Sequence, residues 1–452
     1  MNNIDPARIK YLNDKPLRDG GFVLYWMQHS QRSSDNHALE YALDQANRIK
    51  QNVLVLFVLT GDYPEGAARH YRFMLEGLKD VRDGLARRGI KFVIRLGDPP
   101  RVAAETAVRA SLIVTDRGYL RHLRGWRKSI AESAECRVVQ VESDIVVPVE
   151  SASQKREYAA RTIRKKIMSE ADGFGRLPVR TEPVRQSPNV QESGIDPDSI
   201  EELLTAADPP EYPGSAASFF RGGEKEAEAR LEEFISRKLG SYGENRNDPS
   251  LDGTSRLSPY LHFGQISPIR IFRAVLDSGA GPDAEKFIDE LVVRRELGIN
   301  YVYYEPDYDS YRALPGWARE TLTAHQLDRR DHIYSVEELE KAETHDVYWN
   351  AAEKEMTITG FMHNYMRMYW GKKILEWTPD PEEAFKRILY LNNKYLLDGR
   401  DPSSYAGAGW VFGLHDRPWN QRTVFGKVRS MTASGLKRKF NIDEYAAKKL
   451  AF

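Results

Sequence analysis

Short apolar runs at 22–27, 53–59, 91–96, 111–115 and 138–141 punctuate the first third of the chain, and segments of helical period such as 69–88 lie between them. Continuous Val, Leu and Ile runs of this length, bounded by turn residues, predict strands buried on both faces. Strands alternating with helices predict a parallel, doubly wound α/β sheet, with any ligand near the carboxyl ends of the strands.

The pattern then changes. Residues 173–214 contain Pro178, Pro183, Pro188, Pro197, Pro209, Pro210 and Pro213 among polar side chains, a composition that resists regular structure and predicts a connection between domains. Beyond it, 224–239, 284–301, 336–342, 362–376 and 381–395 carry helical periodicity, and strand-like alternation almost disappears. The expected organisation is an α/β domain over 20–150, a connection over 151–215 and an all-α domain over 216–452. No internal repeat or low-complexity tract interrupts it.

Composition narrows the function. With 452 residues, 41% of them hydrophobic, the chain can build sizeable cores, which excludes a disordered or fibrous protein. No apolar run approaches the ~20 residues a membrane helix needs, and the N-terminus lacks the apolar stretch of a secretory signal. A cytoplasmic protein without membrane contact is expected. The lone cysteine, Cys136, excludes an intramolecular disulfide and any thiolate metal cluster, and no metal site is predicted. The 66 basic and 66 acidic side chains cancel, so a nucleic-acid site has to be a focal patch. Neither G-x-G-x-x-G after the first strand nor a P-loop occurs, so the sheet does not carry a nucleotide by those routes.

Four constellations carry candidate chemistry. Thr254, Ser255, Arg256, Leu257 and Ser258 place hydroxyls and a guanidinium just before Pro259, a favoured first-turn residue; they suit a diphosphate, or simply cap a helix. Arg367 and Asp398 can pair beside an electron-rich ring, or join two helices as an ordinary ion pair. Trp370 and Trp377 are seven apart on one expected helix, about 10 Å in rise, and Trp349 can supply the ring between them; such rings relay electrons or pack a core. Towards the C-terminus Trp410, His415, Asp416, Arg417, Trp419 and Arg429 precede GLKRKF at 435–440, mixing aromatic and basic side chains as a base-stacking, phosphate-gripping surface does, or as a solvated surface does.

Together these segments resemble the photolyase/cryptochrome superfamily, and within it the class II cyclobutane pyrimidine dimer photolyases, along nearly the whole chain. The resemblance rests on Tyr25, Trp26 and Met27 with Gln31, Arg32, Asp35 and Asn36, on RHYRFMLEG at 69–77 and on SQKREYAA at 153–160. It continues through DELVVRRE at 289–296, THD at 344–346, MRMYWGKKILEW at 366–377 and GLKRKF at 435–440. The chain departs from the pattern at His37, at Ser403 and Ser404, and in a shorter loop around Gly413.

The resemblance implies FAD in the helical domain, active as the reduced anion, which on excitation passes an electron to a flipped-out cyclobutane pyrimidine dimer in DNA. The ring splits and the electron returns. It implies that Tyr242 and residues Thr254, Ser255, Arg256, Leu257 and Ser258 hold the cofactor's phosphates and ribityl chain. Arg367 and Asp398 would flank the isoalloxazine and Asn392 would approach its N5. Glu290 would bond the dimer's carbonyl, with burial raising its pKa, and Arg294, Met368 and Trp410 would line the pocket. Arg417, Trp419 and Arg429 would grip DNA, and Trp370, Trp349 and Trp377 would run from flavin to surface as the photoreduction chain. An antenna chromophore of the 8-hydroxy-5-deazaflavin type is compatible with the N-terminal domain, with its occupancy left open. The expected enzyme is a monomeric DNA lyase with no obligate protein partner; the alternative is a cryptochrome-like blue-light photoreceptor that does not repair.

Overall fold

The computed structural model describes residues 4–188, 190–212 and 219–451. Six strands, β1 (Ile9–Tyr11), β2 (Phe22–Met27), β3 (Asn52–Leu59), β4 (Lys91–Leu96), β5 (Ala110–Asp116) and β6 (Arg137–Val141), form one sheet in the order β1-β6-β5-β2-β3-β4. All neighbours run parallel except the edge pair, where Ile9 of β1 lies opposite Val141 of β6 in antiparallel register. The predicted strands are all present. β1 was not predicted, because its three partly exposed residues are too few to show alternation.

β2 is buried along its whole length, and its side chains divide between two cores. Val23, Tyr25 and Met27 pack with Leu39, Leu43, Leu75 and Leu78 from helices His37–Arg48 and Ala68–Ala86. Phe22, Leu24 and Trp26 pack with Val102, Ala103 and Ile130 from helices Pro99–Ala107 and Arg121–Ser133. This two-sided cover explains why the strands read as unbroken apolar runs. At the carboxyl ends, Asp116 of β5 accepts from the Tyr25 hydroxyl at 2.9 Å and from the main-chain N–H groups of Gln28 and His29, fixing the loop that leaves β2.

The proline-rich stretch is more ordered than its composition predicts. Helix Ile200–Ala207 lies within it, seats Leu203 in the core and is tied to helix Ala68–Ala86 by the Arg72–Glu201 pair. It fits because no proline occurs between Pro197 and Pro209, which leaves room for two helical turns.

The remainder is helical. Helices Val347–Thr359, Asn364–Trp377, Pro381–Tyr395 and Pro402–Val411 contribute to one core with Trp349, Trp370 and Trp377 inside it. Helix Pro282–Ile288 runs into a π-helical turn, Asp289–Arg294, before continuing as helix Arg295–Tyr304. Among the described residues no helix is long and apolar enough to cross a membrane.

Candidate functional site

Helix Asn364–Trp377 organises the site, because it carries Arg367, Met368, Trp370 and Trp377 within four turns. Trp370 and Trp377 are too far apart along it to touch, and Trp349 from helix Val347–Thr359 fills the space between them. The Trp349 ring lies 6.4 Å from Trp370, with planes 9° apart, and 5.4 Å from Trp377 in an edge-on arrangement. All three indoles are buried, so Trp377, expected at the surface end, does not reach solvent as an open ring. It is covered by Tyr334 and His345, whose rings lie 5.1 and 5.5 Å away. The Trp370 N–H donates to Glu353 Oε2 at 2.5 Å. Sequence reasoning missed Glu353, although its place four residues after Trp349 puts both on one helix face.

Arg367 and Asp398 do meet: one terminal guanidinium nitrogen bonds both carboxylate oxygens, at 3.1 and 3.2 Å. Asn392 is buried nearby in sequence on helix Pro381–Tyr395 and donates to Asn393 Oδ1. Residues Thr254, Ser255, Arg256 and Ser258 are half-buried around buried Leu257, and helix Ser258–His262 begins at the last of them. Arg256 adopts φ of 53°, a left-handed conformation rare for a bulky residue, and its guanidinium lies over the Phe361 ring. Tyr242 packs edge-on against Phe234 and Phe287, and burial pushes its hydroxyl up to about 12.

Glu290 corrects an expectation. Its side chain is 29% exposed rather than buried, and it is ion-paired with Arg246 at 2.7 Å and Arg294 at 3.2 Å. Glu290 and Arg294 lie in the π-helical turn and line an open cleft of about 480 Å³ with Gly243, Arg246 and Lys286, in place of the buried setting expected from sequence. Arg246, absent from the sequence reading, sits four residues after Tyr242 and lays its guanidinium 5.7 Å from that ring.

The C-terminal aromatic and basic residues form a ladder. Arg417 lies over the Trp419 ring at 5.4 Å, Arg429 lies between Trp419 and Trp410 at 4.9 and 5.7 Å, and Lys372 Nζ lies 5.2 Å from Trp410. Trp419 is 40% exposed and Trp410 and Met368 are half-buried, so the ladder descends from solvent into the core. Its inner end was not foreseen: Lys372 is fully buried, donates to the Val411 carbonyl, and is pushed down to about 7 by burial. The Gly435 to Phe440 motif packs elsewhere, with Lys437 over Tyr348 and Phe440 on Tyr365.

A separate cavity of about 90 Å³ opens where β2 and β3 end, lined by Trp26, Met27, Tyr63, His70, Trp126 and Arg400 among others. It lies outside the carboxyl ends of parallel strands, where the sheet topology predicts a ligand.

Comparison with known proteins gives concordant findings. A family model described as DNA photolyase matches residues 23–182. A deoxyribodipyrimidine photo-lyase from Methanothermobacter thermautotrophicus is 47% identical over 98% of both chains. A class III photolyase from Agrobacterium tumefaciens superposes with a TM-score of 0.76 at 21% identity, covering 96% of this chain and 87% of that one. An archaeal photolyase from Sulfolobus tokodaii, solved with two FAD molecules, superposes with a TM-score of 0.71 at 18% identity, covering 95% and 90%.

Proposed function

Since the chain belongs to the deoxyribodipyrimidine photo-lyase family, we propose that it repairs DNA in light by splitting cyclobutane pyrimidine dimers with FAD held in its helical part. The observation that carries this reading is the unbroken contact of Trp370 and Trp377, on the helix that also bears Arg367 and Met368, with Trp349 of helix Val347–Thr359 between them. The residues suit the cofactor, because Arg367 Nε and Arg256 Nε are buried without an acceptor among the described residues, two N–H donors fitted to an anionic ligand. In this assignment residues 20–150 form an antenna-type domain, 151–215 the connection and 216–452 the catalytic domain.

When bound, FAD supplies the light-absorbing electron donor. Arg367, with its charge partly matched by Asp398, sets a cation beside that donor, and Asn392 offers a neutral amide. Tyr242 and residues Thr254, Ser255, Arg256, Leu257 and Ser258 hold its phosphates and sugar chain. Glu290 and Arg294 face the flipped dimer from the cleft wall, and Arg246 fixes the Glu290 carboxyl. Met368 and Trp410 offer apolar surface to the dimer. Arg417, Trp419 and Arg429 meet the duplex, with the indole stacking where the flipped bases leave a gap and the guanidiniums on phosphates. Trp370, Trp349 and Trp377 return the cofactor to its reduced form. Any antenna chromophore is placed in the cavity beside Trp26, Tyr63 and His70.

The test is to illuminate purified protein with reductant and an oligonucleotide containing a thymine dimer, and to follow recovery of thymine absorbance. Recovery supports repair. Its absence, with FAD bound and photoreducible, moves the protein to the photoreceptor reading.

A further inference from the structure

Of the three relay indoles, Trp370 alone is recorded donating its N–H to an ionisable side chain. Trp349 donates to a main-chain carbonyl, that of Trp370, at 3.1 Å. Trp370 donates to Glu353 Oε2 at 2.5 Å, and Glu353 is completely buried, with its second oxygen, Oε1, lacking a partner among the described residues. Oxidising an indole makes its N–H strongly acidic. A carboxylate at this distance would take the proton and leave a neutral radical on Trp370, which has little drive to accept an electron from Trp349. The relay would stall at its first ring.

We propose that Glu353 is a positioning residue of the relay: as a neutral carboxylic acid it holds the Trp370 indole through a hydrogen bond it accepts and leaves the ring's proton in place, so that the hole passes to Trp349. The inference rests on the relay reading given above. The electron acceptor is the light-excited oxidised flavin. One electron leaves Trp370 for it, one moves from Trp349 to Trp370, one moves from Trp377 to Trp349, and no proton leaves Trp370 Nε1 at any point.

The surroundings of Glu353 favour the neutral form. No cation bonds it. The nearest charges are Glu340 and Lys394, which pair with each other at 2.5 Å and largely cancel. On the other flank, Tyr445 and Lys449 of helix Ile442–Leu450 bind Glu355 instead. An unpaired carboxylate in such a site costs several kcal/mol. Burial accordingly drives its pKa well above the usual carboxyl range, with Glu340 adding to the rise and the Trp370 hydrogen bond opposing it.

The decisive experiment uses the FAD-loaded protein with Trp349→Phe, in which the hole cannot leave Trp370. Transient absorption after a flash is expected to show the protonated, cationic tryptophan radical; the neutral radical would overturn the proposal. Independently of light, the infrared spectrum of the dark protein near neutral pH is expected to contain the carbonyl stretch of a protonated acid that disappears in Glu353→Gln. Absence of that band would also overturn it. Glu353→Leu, which strands the indole N–H, is expected to slow photoreduction by about tenfold, with Glu353→Gln restoring most of the rate. Failure of the relay reading is separable: normal photoreduction in Trp370→Phe would discard the relay while leaving the infrared result intact.

Discussion

Trp349 binds Trp370 twice over, with its ring nearly parallel at 6.4 Å and its N–H on the Trp370 main-chain carbonyl at 3.1 Å. The hydrogen bond fixes the orientation of a ring that packing alone would allow to tilt. Large aromatics at helical spacing usually serve the core, and here the same rings do so while forming a continuous path.

Trp349→Phe separates the two roles. As a core change it is expected to lower stability by about 1–3 kcal/mol, because a ring is lost from a fully buried site and one N–H bond disappears. As a break in the relay it should abolish light-driven reduction of oxidised FAD while repair by protein already reduced with dithionite continues. Flavin absorbance under illumination checks the first outcome and dimer repair the second. Normal photoreduction would return Trp349 to a packing role.

Arg367→Ala leaves Asp398, only 11% exposed, without its cation. The loss is expected to cost about 3 kcal/mol and to release FAD during purification, because the stranded carboxylate repels an anionic cofactor. Arg367→Lys keeps the charge and should recover part of the affinity, since the observed pairing uses a single guanidinium nitrogen rather than a fork. Equal FAD content in all three proteins would separate this pair from the cofactor.

Glu290→Ala has two expected effects of opposite kind. Repair should fall, by at most about 3 kcal/mol of transition-state stabilisation, because a polar side chain facing the dimer is lost, while FAD content is unchanged. Arg246 and Arg294, now freed from the carboxylate, should bind undamaged DNA more tightly and with a steeper salt dependence. Binding isotherms on undamaged duplex at several salt concentrations test the second effect. Weaker binding would mean that Glu290 orients those arginines instead of neutralising them.

How far the sequence reached depends on the kind of signal. The strands from β2 to β6 were legible because their apolar runs report burial on both faces, and the helical periodicity over 381–395 matches the helix Pro381–Tyr395. β1 was not, since three residues carry no period. The helix Ile200–Ala207 was hidden by counting prolines without their spacing. The meeting of Arg367 with Asp398 and of Trp349 with both neighbours was anticipated through family motifs, which encode distant contacts that periodicity cannot. Burial of particular polar groups was not legible. Glu290 lies partly exposed in a π-helical turn on a cleft, and Lys372 lies buried although lysine is nearly always exposed; both depend on tertiary packing.

Arg429→Ala removes the rung shared by Trp410 and Trp419. If Arg429 meets one phosphate, the slope of log affinity against log salt for lesion DNA should fall by about one. Loss of the cation between half-buried Trp410 and exposed Trp419 should also allow Trp419 to move, visible as a change in tryptophan fluorescence. An unchanged slope would place Arg429 outside the interface and leave it as the spacer between the two rings.

Lys372 gives the ladder a pH dependence whose sign is fixed. Its folded pKa is about 7, depressed chiefly by burial and further by Arg429, with Asp416 opposing. An unfolded lysine titrates near ~10.4. Below about pH 7 the ammonium is present in both states and its burial penalty is borne in full. Between about 7 and 10.4 the unfolded chain binds a proton that the folded chain does not, so stability rises with pH, and above that window the penalty is gone. Lys372→Met lacks the group. The stability of the wild type relative to Lys372→Met should therefore climb by roughly 4 kcal/mol at most from pH 6 to pH 10. Near pH 6 the methionine protein should be the more stable of the two, even though the Val411 carbonyl loses its donor at a cost of about 1 kcal/mol. Urea unfolding of both proteins across that range measures the difference directly. Parallel pH profiles would show that Lys372 keeps an ordinary ammonium, with Asp416 offsetting its burial in full.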